Sequence, residues 1–261
     1  MRVLNVVGPG ATELTARLVP ELDGRVATVE RLPDGGADRS PEAAAAYGLG
    51  PDGSWVGAGA DRSLDGLLDD LAPAFDVALL AGFDDAAVPA VALGDADPAG
   101  EAVLRGADAG AVTAEDVLEA LGDVEPRVTL ESLVRRAKAS PRADRAGAIA
   151  TFTGRVRARD DPNDPRTVRL RFEKYEGVAD ERLAALSEDL EARDGVHEVL
   201  LHHRTGVVED GEDIVFVVVL AGHREEAFRT VEDGINRLKE EVPLFKKEVT
   251  VEDEFWVHER G

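Results

Sequence analysis

Residues 222–249 read GHREEAFRTVEDGINRLKEEVPLFKKEV, and this one segment holds most of the lysine in the chain. The 261 residues include 25 Arg but only five Lys, and three of the five are Lys239, Lys246 and Lys247. Apolar residues at helical spacing predict a helix that carries Lys239, and Pro243 separates it from a strand that carries the other two lysines. A solvated helix face is the ordinary alternative, but arginine would serve that purpose equally well. We therefore expect these lysines to have a function.

The composition describes a strongly acidic chain with enough apolar residues to fold. Asp and Glu outnumber Lys and Arg by 53 to 30, the formal net charge is −23, and 44% of the residues are hydrophobic. A disordered acidic protein would lack the apolar periodicity of this sequence, so we predict a folded protein with a surface adapted to high salt. This charge repels nucleic acids and anionic membranes. The sequence shows no apolar run long enough for a membrane span and no signal peptide, so we predict a cytoplasmic protein.

Cysteine is absent, which excludes disulfides, thiolate nucleophiles and zinc–thiolate sites. His197, His202 and His258 lack the spacing of a metal site, so we expect neither a metal nor a bound cofactor. An anionic substrate would need a local basic pocket within the acidic surface.

The first 122 residues alternate strand and helix patterns, which is typical of a layered α/β domain. A buried strand over residues 2–7, the turn Gly8-Pro-Gly10 and a following helix have the layout of a phosphate-binding loop. The positions that should hold Gly, Lys and Ser or Thr hold Glu13, Leu14 and Thr15 instead. We do not expect nucleotide binding here, although a retained nucleotide site coupled to a later step is an open alternative.

The strand and turn at the N-terminus, the strand over residues 76–83 and the general length resemble the P-loop protein associated with assembly of the molybdopterin guanine dinucleotide cofactor, the protein B family. The resemblance implies a degenerate P-loop-like domain that kept its fold, lost its nucleotide site and now serves as a structural or docking appendage. Residues 98–110, which are rich in Gly, Ala and Asp, are predicted to be a loop.

The residues from Gly122 to Pro126 give the best domain boundary, so we predict domains over residues 1–122 and 123–261. The second is predicted to be an α+β domain with the order β-β-α-β-β-α-β-β. Its first strand is predicted to run through Arg157, and residues 209–212 are predicted to form the turn that joins the two middle strands.

Seven short motifs follow one another through this second half: Phe152-Thr-Gly-Arg-Val-Arg157, Glu173-Lys-Tyr175, His203-Arg-Thr-Gly206, Gly222-His-Arg-Glu-Glu-Ala-Phe228, Leu238-Lys239, Val242-Pro-Leu-Phe-Lys-Lys-Glu248 and Phe255-Trp-Val257. On these motifs, residues 147–260 resemble the large, catalytic subunit of molybdopterin synthase. Phe245 is a departure, because this family usually has Trp at that position.

The resemblance implies a sulfurtransferase that converts precursor Z, a cyclic pyranopterin monophosphate, into molybdopterin. The sulfur arrives as a thiocarboxylate on the C-terminal Gly-Gly of a small ubiquitin-like partner. The resemblance also implies a homodimer of large subunits with one small subunit at each end, and catalytic roles for Lys239 and Lys246.

The residue types suit this chemistry. A phosphate-bearing substrate needs cationic side chains, and the substrate-binding candidates are Arg157, His223, Arg224 and Arg260. The ammonium groups of Lys239 and Lys246 would stabilise the oxyanion of a tetrahedral species, and burial or neighbouring cations would lower the pKa of one of them. Lys247 should point to the opposite side of its strand.

Several alternatives stay open. Arg157 would pair only with surface carboxylates, His223 would cap a helix or lie in the core, and His203-Arg204 would brace the turn at Gly206. At the level of function, the rival is a non-catalytic module that captures a ubiquitin-like tail and accepts it at Lys239 or Lys246 through an isopeptide bond.

Overall fold

A computed structural model describes residues 1–33, 44–159, 161–175, 177–250 and 254–257, the last of these by backbone alone. The chain divides into two compact units, Met1–Thr129 and Leu130–Gly261. The division therefore falls after residue 129, whereas the sequence predicts it after residue 122.

Unit 1 is built on a parallel sheet. In chain order its elements are β1 (Arg2–Val7), α1 (Ala11–Leu18), β2 (Val26–Glu30), β3 (Ala45–Leu49), β4 (Trp55–Gly59), α2 (Leu64–Leu71), β5 (Val77–Ala81), β6 (Ala90–Leu93), β7 (Ala102–Gly106) and α3 (Ala114–Asp123). Five strands pair in the order β2-β5-β1-β6-β7, and every pair in this sheet is parallel. The strands β3 and β4 form a separate antiparallel hairpin.

The central strands of unit 1 are buried on both sides, which explains their continuous apolar runs. Leu4 and Val6 of β1 pack in one cluster with residues of α1 and α3, while Val3 packs in a second cluster with Leu80 of β5. The prediction of a loop over residues 98–110 was wrong for residues 102–106, which form the edge strand β7. This strand ends in Gly106 and is only half-buried, so its sequence lacks a strong strand pattern.

Unit 2 combines helices with two antiparallel sheets. Its elements are α4 (Leu130–Lys138), β8 (Ala148–Arg155), β9 (Thr167–Lys174), α5 (Val178–Glu191), β10 (Val196–His203), β11 (Gly206–Glu209), β12 (Asp213–Ala221), α6 (Arg224–Glu241), β13 (Leu244–Thr250) and β14 (Glu254–Val257). One sheet has the order β10-β12-β8 and the other the order β11-β9-β13-β14.

Unit 2 has helix α4 before the predicted order and one strand more within it, and its first strand is shorter than predicted. Residues 206–209 form the extra strand β11, which pairs with β9. The first strand ends at Arg155 rather than Arg157, because Val156 leaves the ladder and bonds to the turn before β12: its N–H donates to the Glu212 carbonyl at 2.9 Å. Arg157 therefore lies in the loop after β8.

The main core of unit 2 lies between the sheet β10-β12-β8 and the helices α5 and α6. Val215, Val217 and Val219 alternate along β12 and face this core. Val231, Ile235 and Leu238 of α6 recur at helical spacing and pack against them. Leu238 is the last of these residues within the helix, and Val242, which follows the helix, is buried in the same core, so Lys239 lies beside the end of the core.

Candidate functional site

Backbone hydrogen bonds among three glycines fix the segment that leads into α6. The Gly222 N–H donates to the Gly195 carbonyl at 2.8 Å, and the Gly147 N–H donates to the Gly222 carbonyl at 3.2 Å. A Cβ on Gly147 would lie 2.6 Å from the Gly222 oxygen, closer than van der Waals contact allows. Glycine is therefore required at position 147, beside the segment that leads into the helix.

His223 and Arg224 are exposed where α6 begins. His223 is the N-cap residue, but its side chain makes no capping hydrogen bond. His223 therefore occupies the capping position without a side-chain cap, and the alternative in which it lies in the core was wrong. Both side chains are accessible to a ligand at this end of α6.

Lys239 lies in the last turn of the same helix and is exposed. Fifteen residues separate it from Arg224, which corresponds to about 22 Å along the axis at 1.5 Å per residue. The helix therefore keeps His223 and Arg224 far from Lys239 within one chain. The sequence predicts this separation only once the segment from Arg224 to Lys239 is recognised as one helix.

An arginine fixes the end of α6 that carries Lys239. The Arg237 guanidinium donates to Asp189 of α5 at 3.1 Å and to Glu241 at 2.5 Å. The hydrogen bond from Arg237 lowers the pKa of Glu241, so this carboxylate stays charged beside the last turn. Arg237 thus ties α6 to α5 two residues before Lys239.

Lys246 and Lys247 lie in β13, as predicted, after a turn that contains Pro243. The Val242 N–H closes the helix on the Leu238 carbonyl at 3.1 Å, and the Leu244 N–H then donates to the Val242 carbonyl at 2.9 Å. Strand β13 begins at once, so the turn brings the end of α6 and the start of β13 together.

The two adjacent lysines occupy opposite sides of the sheet β11-β9-β13-β14. Lys246 lies opposite Phe172 of β9, and Phe172 is buried in a small cluster with Leu170. Lys247 lies opposite Arg171, which is exposed. Lys246 is half-buried at the margin of an apolar cluster, and alternation along the strand turns Lys247 to the other side.

A fourth lysine, which the sequence did not indicate as a candidate, lies at this place. Lys174, at the end of β9, lies opposite Leu244 of β13, and its Nζ is 3.2 Å from Asp180. Beside it, the rings of Tyr175 and Phe245 meet edge to face with centroids 5.7 Å apart. Glu173-Lys-Tyr175 was noted as a motif, but strand register is needed to bring it next to β13.

The other candidates are more scattered. Arg157 is exposed, in the loop after β8. His203 and Arg204 have structural contacts: the His203 ring packs edge to face on Phe172 at 4.7 Å, and the Arg204 side chain donates to the Asp213 carbonyl at 3.0 Å. Arg260 lies outside the described residues. Lys239 and Lys246 thus flank one turn, and the structure does not bring His223 and Arg224 to it.

In the described part of the chain, metal-ligating clusters and membrane-spanning helices are both absent. Within it, no group of three or more His, Asp or Glu side chains could hold a metal ion. Nor does any described helix have the length and apolar character needed to cross a membrane.

Unit 1 has a cavity of about 530 Å³ where β1 turns into α1. Gly8, Gly10 and Ala11 contribute the turn, and Glu13 and Glu30 contribute two carboxylates. The Thr12 hydroxyl donates to Glu30 at 2.8 Å. Carboxylates therefore stand where a phosphate-binding loop would present cationic and amide groups.

Comparison with known proteins identifies the family. A relative from Haloferax volcanii described as a probable molybdopterin synthase is 61% identical over 264 residues, which is 100% of both chains. This chain belongs to the molybdopterin synthase family. The family model described as MoaE protein matches residues 125–241, so the family resemblance predicted for the second half is confirmed. The molybdopterin synthase catalytic subunit of Bacillus subtilis is 39% identical over 112 residues, 43% of this chain and 70% of its own.

A solved structure shows the same likeness over the same share of the chain. The molybdopterin synthase from Staphylococcus aureus is 30% identical, with a TM-score of 0.42, and covers 44% of this chain and 83% of its own. On the sequence relatives and the family model, the chain is a molybdopterin synthase catalytic subunit, a sulfur-transfer enzyme of molybdenum cofactor biosynthesis. Lys239 falls within the residues matched by the family model, and Lys246 falls beyond them.

Proposed function

We propose that this molybdopterin synthase catalytic subunit converts precursor Z into molybdopterin with sulfur from a thiocarboxylated, small ubiquitin-like subunit. The observation that supports this most strongly is the placement of the lysines. Lys239 and Lys246 flank a single turn, in a chain of net charge −23 that contains only five lysines.

We assign catalysis to these two residues. A thiocarboxylate is an anion, and its sulfur first bonds to the substrate to give a thioester between the partner and the substrate. Water then adds to the acyl carbon to form a tetrahedral species with an oxyanion, which collapses to leave the sulfur on the substrate and a carboxylate on the partner. An ammonium group near that carbon stabilises the developing charge. Lys246 has an apolar neighbour in Phe172, so a bound partner tail would exclude water there and strengthen this interaction.

We assign binding of the substrate phosphate to Arg157, His223, Arg224 and Arg260. Arginine and a protonated histidine bind phosphate through charge-assisted hydrogen bonds. His223 and Arg224 are exposed at the start of α6, where no capping bond holds the histidine side chain. A phosphate bound there gains further from the amide groups of the first helical turn.

The separation along α6 supports a homodimer. His223 and Arg224 lie about 22 Å from Lys239 in one chain, too far to hold a small substrate that the lysine also reaches. A second copy that presents the start of its α6 to the lysine end of the first would complete the site. Two-fold symmetry then gives two equivalent sites.

Unit 1 is proposed to be a P-loop-like domain that has lost its nucleotide site and acts as a structural or docking appendage. Glu13 and Glu30 support this, because carboxylates at the turn oppose phosphate binding. Equilibrium binding of labelled GTP and ATP to the full chain in high salt tests it, and micromolar affinity would overturn it. The adaptation to high salt and the cytoplasmic location stay predictions from the composition.

The rival function is a non-catalytic acceptor of a ubiquitin-like tail at Lys239 or Lys246, which the exposure of Lys239 makes possible. The deciding experiment incubates the full chain with precursor Z and the partner in molar KCl, with the partner as thiocarboxylate or as carboxylate. We expect molybdopterin only with the thiocarboxylate, and a loss of ~10²-fold or more in Lys239→Ala. Tight partner binding without product in the wild type would favour the rival.

A further inference from the structure

Strand β10 lies at one edge of its sheet. The order β10-β12-β8 gives it a strand neighbour on one side only, within the part of the chain that the structure describes. The outer edge of such a strand presents backbone N–H and C=O groups that can pair with another extended chain. The surroundings of this edge therefore decide whether it is closed or able to accept a further strand.

A cleft of about 490 Å³ lies along this edge, a volume within the ~300–1,000 Å³ range of ligand sites. Residues 199–201 of β10 form its floor, and α4 and α5 contribute its two walls. The α5 wall includes the small residues Ala184 and Ser187, whereas the α4 wall includes the cation Arg136. The edge is thus open to a ligand and has walls of different chemistry.

One side chain already takes the place of a neighbouring strand. The Val199 N–H donates to a Glu191 carboxylate oxygen at 2.9 Å. This bond shows that the Val199 N–H points out of the sheet, away from β12. Because backbone groups alternate along an antiparallel strand, the N–H and C=O groups of Leu201 point to the same edge. The floor of the cleft therefore presents the backbone groups that a paired strand needs.

The accessible charge of the cleft is positive. Arg142 pairs with Glu191 at 2.7 Å, and Arg136 lies 3.9 Å from Glu198. In both pairs the cation is the more exposed partner: the side chains of Arg136 and Glu198 are 70% and 15% exposed, and those of Arg142 and Glu191 are 42% and 24% exposed. A ligand that enters the cleft meets the guanidinium groups first, so carboxylates on the ligand are favoured.

The segment that forms the α4 wall is also an exception in the sequence. Residues 135–145 read RRAKASPRADR, with five cations and one carboxylate, in a chain of net charge −23. An acidic chain repels carboxylate-bearing ligands over most of its surface and attracts them at such a segment. The basic residues are therefore concentrated beside the one edge strand that borders this cleft.

We propose that the cleft binds an extended segment of another protein, which adds to β10 as a further strand and alternates acidic with apolar side chains. Side chains of an added strand point alternately to the two faces of the sheet. Those on the α4 side meet Arg136, which suits carboxylates, and those on the α5 side meet Ala184 and Ser187, which suit small apolar groups. Main-chain hydrogen bonds then give affinity, and the two walls give specificity.

Glu191 makes room for this segment without losing its ion pair. Its Oε1 accepts the Val199 N–H, and its Oε2 accepts from Arg142. A backbone carbonyl of the added strand replaces Oε1 as the acceptor, while Oε2 keeps the guanidinium. The cleft contains none of the residues assigned to catalysis or to the substrate phosphate, so the inference is independent of the proposed function.

The test measures the binding of labelled octapeptides to the full chain in molar KCl by fluorescence anisotropy. The probe alternates Glu and Val, and the first control alternates Lys and Val. Two further peptides keep the Glu–Val sequence but carry N-methyl groups on the four Val residues or on the four Glu residues. They have the charge of the probe, and each lacks the N–H donors along one edge of its backbone.

Two variants separate the cleft from the rest of α4. Arg136→Glu reverses a charge on the wall of the cleft. Lys138→Glu is the matched control, because Lys138 is exposed on the same helix and lies outside the cleft lining. Thermal melts establish that both variants are folded, and both should keep the wild-type rate of molybdopterin formation.

We expect the Glu–Val peptide to bind with a dissociation constant below about 0.1 mM and the Lys–Val peptide to bind about fivefold more weakly or worse. One N-methylated peptide should bind about tenfold more weakly, and the other within about threefold of the probe, because only one edge of the added strand faces β10. Arg136→Glu should weaken binding about fivefold or more, and Lys138→Glu less than about twofold.

Three results would overturn the proposal. The first is no saturable binding of the Glu–Val peptide. The second is equal binding of the probe and both N-methylated peptides, which would leave only an electrostatic attraction to α4. The third is binding that disappears as the protein is concentrated, which would show that a second copy of the chain occupies the cleft.

Discussion

At the scale of single residues, Lys246 and Lys247 are chemically identical neighbours in different surroundings. Lys246 lies opposite the buried Phe172, whereas Lys247 lies opposite the exposed Arg171. A lysine at the margin of an apolar cluster loses water when a ligand covers it, which strengthens its interaction with an anion. We attribute the catalytic role of Lys246 to this position rather than to its charge alone.

Two arginines, one at the end of β8 and one in the loop that follows it, give the first prediction. Arg157 is assigned to the substrate phosphate, and Arg155 pairs with Asp213 at 3.1 Å. Arg157→Ala should lower kcat/KM for precursor Z by about 10- to 100-fold, the value of one or two charge-assisted hydrogen bonds, and leave partner affinity unchanged. Arg155→Ala should lower it less than about threefold. Steady-state kinetics check this. Equal losses in the two variants would indicate that Arg157 only forms a surface ion pair.

The sequence predicted that Lys246 and Lys247 lie on opposite sides of β13, but not which residues are their neighbours. Side chains alternate along any strand, so the opposite placement of Lys246 and Lys247 followed from their adjacency. The approach of Lys174 to Leu244 depends on the register between β9 and β13, which a single sequence does not encode locally. The separation of Arg224 from Lys239 could have been calculated from helix length, once α6 was recognised as unbroken.

At the scale of elements, the close contact between Gly147 and Gly222 fixes the backbone that leads into His223 and Arg224. Gly147→Ala places a Cβ against the Gly222 carbonyl, so the backbone has to move. We expect a loss of about 1–3 kcal/mol in unfolding free energy, together with a lower rate at saturating partner. Gly122→Ala in α3 is the control, because nothing lies within 4 Å of its added Cβ. Urea unfolding and single-turnover rates check this, and a Gly147→Ala protein with wild-type stability would contradict it.

The capping box of α3 gives a prediction for unit 1. The Thr113 hydroxyl and backbone both bond to Asp116, and the hydrogen bond from the hydroxyl lowers the pKa of Asp116. Because the folded-state pKa is depressed, this stabilisation is present above the ordinary Asp value and is lost as the pH falls through the folded value. Thr113→Ala should remove about 1 kcal/mol at neutral pH and less in acid. Urea titrations in both ranges check the trend, and a pH-independent difference would refute it.

Two of the strands that the sequence missed, β11 and β7, share a physical cause. Strand β11 has four residues and β7 ends in glycine, so neither offers a run long enough to show alternation. Both lie at sheet edges and are held by one neighbouring strand, β9 and β6 respectively. The long helix α6 and the buried strand β12 were predicted from pattern alone, because their apolar residues face one large core.

At the scale of the whole molecule, a site shared between two copies of the chain predicts how mixed dimers behave. Lys246→Ala and Arg224→Ala should each be nearly inactive alone. Mixed in equal amounts and allowed to exchange, they should recover about a quarter of wild-type activity, since half of the dimers then hold one intact site. Heterodimers isolated through two different affinity tags check this. Heterodimers that form but stay inactive would show that each chain supplies its own complete site.

The assignment of catalysis to Lys246 is tested by the single-turnover rates of Lys246→Ala and Lys247→Ala with precursor Z at saturating thiocarboxylated partner. Both variants lose one positive charge from the same strand, so only the side of the sheet differs. We predict a loss of ~10²-fold or more for Lys246→Ala and a rate within about threefold of wild type for Lys247→Ala. Equal losses in the two variants, or no loss in Lys246→Ala, would contradict the assignment of catalysis to Lys246.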